Sequence, residues 1–221
     1  MHNFGYTAAA RQLQDRFDTR NLADAELQVI VHDELTDHDQ AFIRSLDMFW
    51  LASVDDKGSP TVSYKGGAPG FVHILDARTL LFPNYDGNGM YFSMGNVATT
   101  AQVGMLFMDF VKPNRLRVQG KAALTDDPAL VGRFPGAQFA VQVQITALIQ
   151  NCPRYITRMQ RVEPSRYVPD AQGAQPIPGW KRIDAIQPVL PARDQGKADT
   201  VGGLISMDAW GEMVGTGNPL A

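Results

Sequence analysis

Apolar residues recur at helical spacing through the first 47 positions and at strand spacing after them. Ala8, Leu13 and Phe17 mark one helix, and Leu27, Ile30 and Val31 a second, shorter one. Thr36 with Asp39 three positions on is a capping-box-like start for a helix over 37–45, whose apolar face is Phe42, Ile43 and Leu46. Residues 48–54 (MFWLASV) then form an apolar run, and Asp55-Asp56-Lys57-Gly58 signals a hairpin turn into a strand over 61–65. A Gly-Gly-Ala-Pro-Gly loop at 66–70 leads to a second hairpin, 71–75 and 79–82.

Residues 83–89 (PNYDGNG) read as irregular, and 90–100 as a short helix with Met94 and Val97 as packing positions. The run 103–111 is a nearly continuous apolar strand. In 115–124, Leu116, Val118 and Gly120 alternate with Arg117, Gln119 and Lys121, and in 139–149, Val141, Val143 and Ile145 alternate with Gln142, Gln144 and Thr146. Between these two strands, 126–134 is predicted helical with Pro128 in its first turn. About six strands at hairpin spacing predict a mainly β (α+β) antiparallel barrel with flanking helices. From Pro164 the chain turns rich in Pro, Gly, Gln and Asp, so three regions follow: a helical extension (1–47), a barrel domain (48–163) and a C-terminal extension (164–221) packed on the barrel or a dimer partner.

Composition narrows the function classes. The 221 residues carry 20 Lys+Arg and 23 Asp+Glu, a net charge of -3, which leaves no electrostatic footprint for nucleic acid or an anionic membrane surface. One cysteine excludes an intramolecular disulfide and a cysteine-only metal cluster. Residues 1–20 lack a signal-peptide core and no later apolar run has membrane length, so a cytoplasmic protein is expected. Cys152 is followed by Pro153, and the nearest histidine in sequence is His73, so a Cys–His pair would have to form in space. His2, His32, His38 and His73 show no metal-ligand spacing, and HExxH, P-loop and strand-following GxGxxG motifs are missing.

What remains is a set of glycines, hydroxyls and amides between strands. Ser63-Tyr64-Lys65-Gly66-Gly67 puts a lysine at a strand end beside two residues without side-chain bulk. Asn88, Gly89 and Ser93 stand at the approach to a helix, where free N–H groups and the helix dipole favour an anion, and Asn96 lies one turn beyond Ser93. One cation, several backbone donors and small residues are how a phosphate is held; the competing reading is loop punctuation by ordinary turn formers.

With these motifs, and with Asp86-Gly87-Asn88-Gly89-Met90, Ser93-Met94-Gly95-Asn96 and Asn151-Cys152-Pro153-Arg154-Tyr155-Ile156, the chain resembles the pyridoxamine 5′-phosphate oxidase-like, FMN-binding split-barrel family, in one of its uncharacterised branches. The resemblance implies a six-stranded antiparallel split barrel, a homodimer, and FMN at the subunit interface. It implies that Ser63, Lys65 and Gly66 lie along the ribityl phosphate, and that Phe82 and Pro83 line the ring or ribityl chain. Asn88, Gly89, Ser93 and Asn96 would complete those contacts, and Asn151 and Arg154 would reach the flavin from the last strand of either subunit. Trp50, Phe107, Phe110 and the tail residues Leu204, Ile205 and Trp210 are more apolar material than one core needs, which a second subunit would cover.

Two departures limit the resemblance. The start of the helix after the second hairpin (Gly89-Met90-Tyr91-Phe92-Ser93) lacks the family's basic pair, and Trp180-Lys181-Arg182 and Leu190-Pro191-Ala192-Arg193 only echo its C-terminal substrate-phosphate signature. The resemblance therefore reaches an FMN-dependent oxidoreductase with an unnamed small substrate. A flavin- or haem-binding module without turnover and a deazaflavin-dependent reductase are the alternatives.

Overall fold

The structure, a computed structural model, describes residues 4–221; His2 lies outside them. The chain divides between Val162 and Glu163 into two compact units.

The first unit opens with α1 (Ala8–Arg16), capped by the Thr7 hydroxyl, and α2 (Arg20–Ile30). Leu27 and Ile30 of α2 pack against Val31, Ala147 and Ile149. The two-residue strand β1 (Val31–His32) leads to α3 (Asp37–Ser45), whose start is a full capping box between Thr36 and Asp39. The strands that follow are β2 (Met48–Val54), β3 (Pro60–Gly66), β4 (His73–Asp76) and β5 (Thr79–Asn84). Then come α4 (Phe92–Thr100), β6 (Gln102–Asp109), β7 (Asn114–Thr125), the one-turn α5 (Pro128–Val131) and β8 (Phe139–Asn151).

All strand pairs are antiparallel, in the order β3-β2-β6-β7-β8-β5-β4, with β1 added beside β8. The antiparallel sheet with flanking helices follows the sequence expectation. It has eight strands where about six were expected; the unforeseen one is the two-residue β1, in a stretch read as helical, and the path does not close into a ring. In β2 every second residue is buried, placing Phe49, Leu51 and Ser53 inward. Phe49 packs against Phe82 and Phe107 with ring centroids 5.1 and 5.3 Å apart, and Leu51, Leu116, Val118 and Leu148 complete that centre. Phe107 is thus core, not surplus surface. Met94 and Val97 seat α4 on the same core.

The β2–β3 turn is built as the Asp-Asp-Lys-Gly signal predicts: the Asp55 carboxylate accepts from the N–H groups of Lys57 and Ser59, and Gly58 takes a positive φ of 84°. Gly67 answers a different demand. A Cβ there would stand 2.5 Å from the Phe71 ring, so this glycine is required by packing.

The second unit has four short 3₁₀ helices (179–182, 184–189, 192–194 and 197–201) and α6 (Met207–Gly215), capped by Ser206. Its centre holds a buried ion pair, with Lys181 Nζ 2.8 Å from Asp194 Oδ2. Burial of both partners makes such a pair costly to break from one side.

Candidate functional site

A cleft of about 260 Å³ opens between the edge strand β3, the loop after β5 and the first turn of α4. Alternation along β3 sends Thr61, Ser63 and Lys65 to the cleft, while Val62 and Tyr64 on the other face are 62% and 60% exposed. From the loop come Asn84, Tyr85, Asn88 and Gly89, and from the start of the helix Tyr91, Phe92 and Ser93.

Lys65 is the one charged side chain among the described residues of the lining. It makes no ion pair or side-chain hydrogen bond there, and burial lowers its pKa, which marks an ammonium short of solvent and of a counter-charge. Ser93, itself buried, donates its hydroxyl to Ser63 Oγ at 2.9 Å. At the head of α4 the N-cap residue is Tyr91, in the left-handed region (φ 50°, ψ 24°), and it supplies no side-chain cap. The first-turn N–H groups of Phe92 and Ser93 are therefore left to whatever enters the cleft. Asn88 Oδ1 accepts from the Met90 N–H, shaping the loop, and Gly89 has a φ of 76° that suits glycine.

The structure thus brings together Ser63, Lys65, Asn88, Gly89 and Ser93. Gly66 ends β3 next to them, and a Cβ there would press the Tyr64 ring at 2.8 Å. The other sequence candidates stand elsewhere. Phe82 and Pro83 are buried, Phe82 as part of the core, so neither presents a surface to the cleft. Asn96 turns under the sheet and donates to the buried Ser53 Oγ at 3.1 Å. Asn151 ends the thirteen-residue β8, at the opposite end from Phe139, the partner of cleft residue Asn84. Its Oδ1 is buried without a partner, as is the Nε of Arg115 directly across the ladder. Arg154 and Cys152 are exposed.

Thr61, Asn84, Tyr85 and Tyr91 were not foreseen. The period of two from Lys65 through Ser63 points to Thr61. Asn84 and Tyr85 sit in the irregular PNYDGNG loop, whose density of polar side chains at a strand end was the available signal. Tyr85 is half-buried, and that burial raises its phenol pKa.

Among the described residues no cluster of three or more His, Cys, Asp or Glu side chains suits a metal ion, and no helix is long and apolar enough to cross a membrane. His32 is engaged with Asp39 at 2.8 Å, and the His73 ring packs on Phe134 at 4.3 Å.

Residues 35–159, more than half of the chain, match the family model described as pyridoxamine 5′-phosphate oxidase. The chain belongs to the pyridoxamine 5′-phosphate oxidase family. No curated protein matches it. Among solved structures, HupZ of Group A Streptococcus is 15% identical, with 57% of this chain and 99% of that one covered and a TM-score of 0.44. An FMN-binding protein from Syntrophomonas wolfei is 12% identical (64% and 97% covered, TM-score 0.39). The haem storage protein HutZ from Vibrio cholerae is 18% identical (53% and 95% covered, TM-score 0.38). In this member of the pyridoxamine 5′-phosphate oxidase family α4 (FSMGNVATT) carries no basic residue, and the donors the cleft offers are Lys65, hydroxyls and backbone N–H groups.

Proposed function

We propose that this protein binds FMN in the cleft between β3 and α4 and acts as a flavin-dependent oxidoreductase on a small substrate. The carrying observation is Lys65, a half-buried ammonium with no partner beside an uncapped helix N-terminus. A phosphate monoester supplies what that arrangement lacks: negative charge for Lys65 and acceptors for the N–H groups of Phe92 and Ser93. Ser63 accepts from Ser93 and so keeps its own hydroxyl hydrogen for the ligand, and Asn88 and Gly89 hold the loop close. Bound FMN would supply two-electron transfer. The protein's part is to bind the phosphate and exclude water from one side of the ring.

The donor set also favours a flavin over haem. No His or Cys, the usual proximal haem ligands, lines the cleft among the described residues.

The same strand supports a homodimer. Val62 and Tyr64 face outward from an edge strand, and Tyr64 packs on Trp50, whose ring in turn meets Phe110 at 5.9 Å. An apolar patch on an unpaired edge is best covered by a second copy. Asn151 and Arg154, remote along β8 from the cleft of their own chain, would then serve the partner's flavin.

The test is the visible spectrum of the purified protein, followed by titration of the apo-protein with FMN and anaerobic addition of reduced nicotinamides. A two-band flavin spectrum that bleaches supports the whole reading. A flavin spectrum without bleaching by any donor leaves a binding module. A sharp haem band with no FMN uptake overturns it.

A further inference from the structure

The residue that organises this cleft does not line it. Gln138 lies one position before β8, and its backbone N–H donates to the Asn84 carbonyl at 2.9 Å. Its side-chain amide holds three residues of the loop over 84–91. The oxygen accepts from Asn84 Nδ2 at 3.2 Å and from the Tyr91 hydroxyl at 3.0 Å, and the nitrogen donates to Asp86 Oδ1 at 3.1 Å. Two donors meet the oxygen and a carboxylate meets the nitrogen, so only one orientation of the amide satisfies all three.

Tyr91 gives this hub its consequence. A tyrosine in the left-handed region is uncommon and persists where its surroundings hold it there. Here the hydroxyl is held by Gln138, and the ring lies near-parallel to that of Phe139, 6.4 Å between centroids. Both holding residues sit side by side at the start of β8, a strand paired on both edges and so rigidly placed. Released, Tyr91 would relax to an ordinary backbone region and α4 would lose the start that leaves the amides of Phe92 and Ser93 uncapped.

We propose that Gln138 is a positioning residue for this cleft: by gripping Asn84, Asp86 and Tyr91 it fixes the backbone N–H groups at the head of α4 where an anion can use them. The proposal rests on the FMN reading for the identity of the ligand, not for the hub itself.

The experiment compares wild type, Gln138→Leu, Tyr91→Phe and Lys65→Ala. Each is titrated with FMN by flavin fluorescence, and apo-protein melting and hydrogen exchange of the Gly95 amide, which donates to the Tyr91 carbonyl at 2.7 Å, are measured alongside. Gln138→Leu should bind FMN about tenfold more weakly and Tyr91→Phe about threefold, from the loss of three hydrogen bonds, one of them to a carboxylate, and of one neutral bond. Both should exchange faster at Gly95, whereas Lys65→Ala should lose affinity with exchange unchanged. If Gln138→Leu does not fold, Tyr91→Phe, which removes one half-exposed hydroxyl, decides by the same two measures. Wild-type affinity and wild-type exchange in the folded variants overturn the proposal, and so does weakened binding without faster exchange, since that makes Gln138 a ligand contact. If wild type takes up no FMN, the cofactor reading fails. The exchange rates then still judge the hub: faster exchange supports it, unchanged exchange overturns it.

Discussion

Ser93, in the first turn of α4, donates its hydroxyl to Ser63 on the edge strand β3 across 2.9 Å. Both line the cleft, and Lys65 stands two residues along the same strand face from Ser63. Two hydroxyls and an ammonium thus stand together in the cleft.

Lys65→Ala should weaken FMN binding by about tenfold to a hundredfold, the worth of roughly 1.5–3 kcal/mol for a charge-assisted phosphate contact. Lys112→Ala, at an exposed turn, should leave affinity unchanged. Stability should move the other way. Burial lowers the pKa of Lys65, so between that folded value and the ordinary lysine value of 10.5 the unfolded chain carries more protons. Apo-protein stability should rise with pH through that window, and Lys65→Met should melt higher than wild type below it. Equal FMN affinity for the two alanine variants would remove Lys65 from the site.

Asn96→Ala should cost stability and spare the ligand. Its amide satisfies the buried Ser53 hydroxyl, and a lost buried partner is worth about 1–3 kcal/mol. Urea unfolding should show the loss, while FMN titration of the folded fraction matches wild type. An affinity loss without destabilisation would return Asn96 to the cleft.

Asp39 should make the protein sensitive to acid. Burial opposes its ionisation, but the Thr36 hydroxyl, the His32 ring and the Thr36 N–H together outweigh it, and its pKa lies below the usual carboxylate value. A lowered folded pKa contributes stability that is present above the unfolded value and lost as pH falls through the folded one. Asp39→Asn should therefore destabilise at neutral pH and approach wild type in acid. Thr36→Ala should cost about 1 kcal/mol. A destabilisation by Asp39→Asn that is the same at every pH would refute the ionic account.

Tyr64→Glu should separate the subunits. The residue is exposed on the outer face of β3, and a carboxylate there cannot be buried against a second copy without a partner. Light scattering should read about twice the 24.3 kDa chain mass for wild type and the single mass for the variant. A wild-type protein that is already monomeric would end the dimer reading.

Much of the fold was legible because its signals are local. Thr36 and Asp39 sit three residues apart and form the capping box they spell, and Asp55 to Gly58 make the turn they announce. Alternation in β7 and β8 gave their faces, since a period of two needs no knowledge of neighbours. The site was legible only in part, because its support is non-local. Gln138 lies far along the chain from Tyr91 and Asp86, and nothing in its neighbourhood marks it. Asn96 shows another non-local effect: it lies one helical turn from Ser93, but the helix is seated so that its amide reaches the Ser53 hydroxyl. Phe82 and Pro83 were placed by resemblance, and burial puts them behind the surface.

Gly67 has a consequence for the motif it belongs to. Its missing Cβ makes room for the Phe71 ring, inside the protein, and not for a visitor. The two halves of Lys65-Gly66-Gly67 therefore answer to separate pressures, and they can drift apart. If the lysine serves a bound flavin, a descendant without that flavin would be free to discard it, yet would still be bound to the glycine for as long as the sheet folds. In a related sequence, the glycine alone would testify to ancestry, and only the lysine to employment.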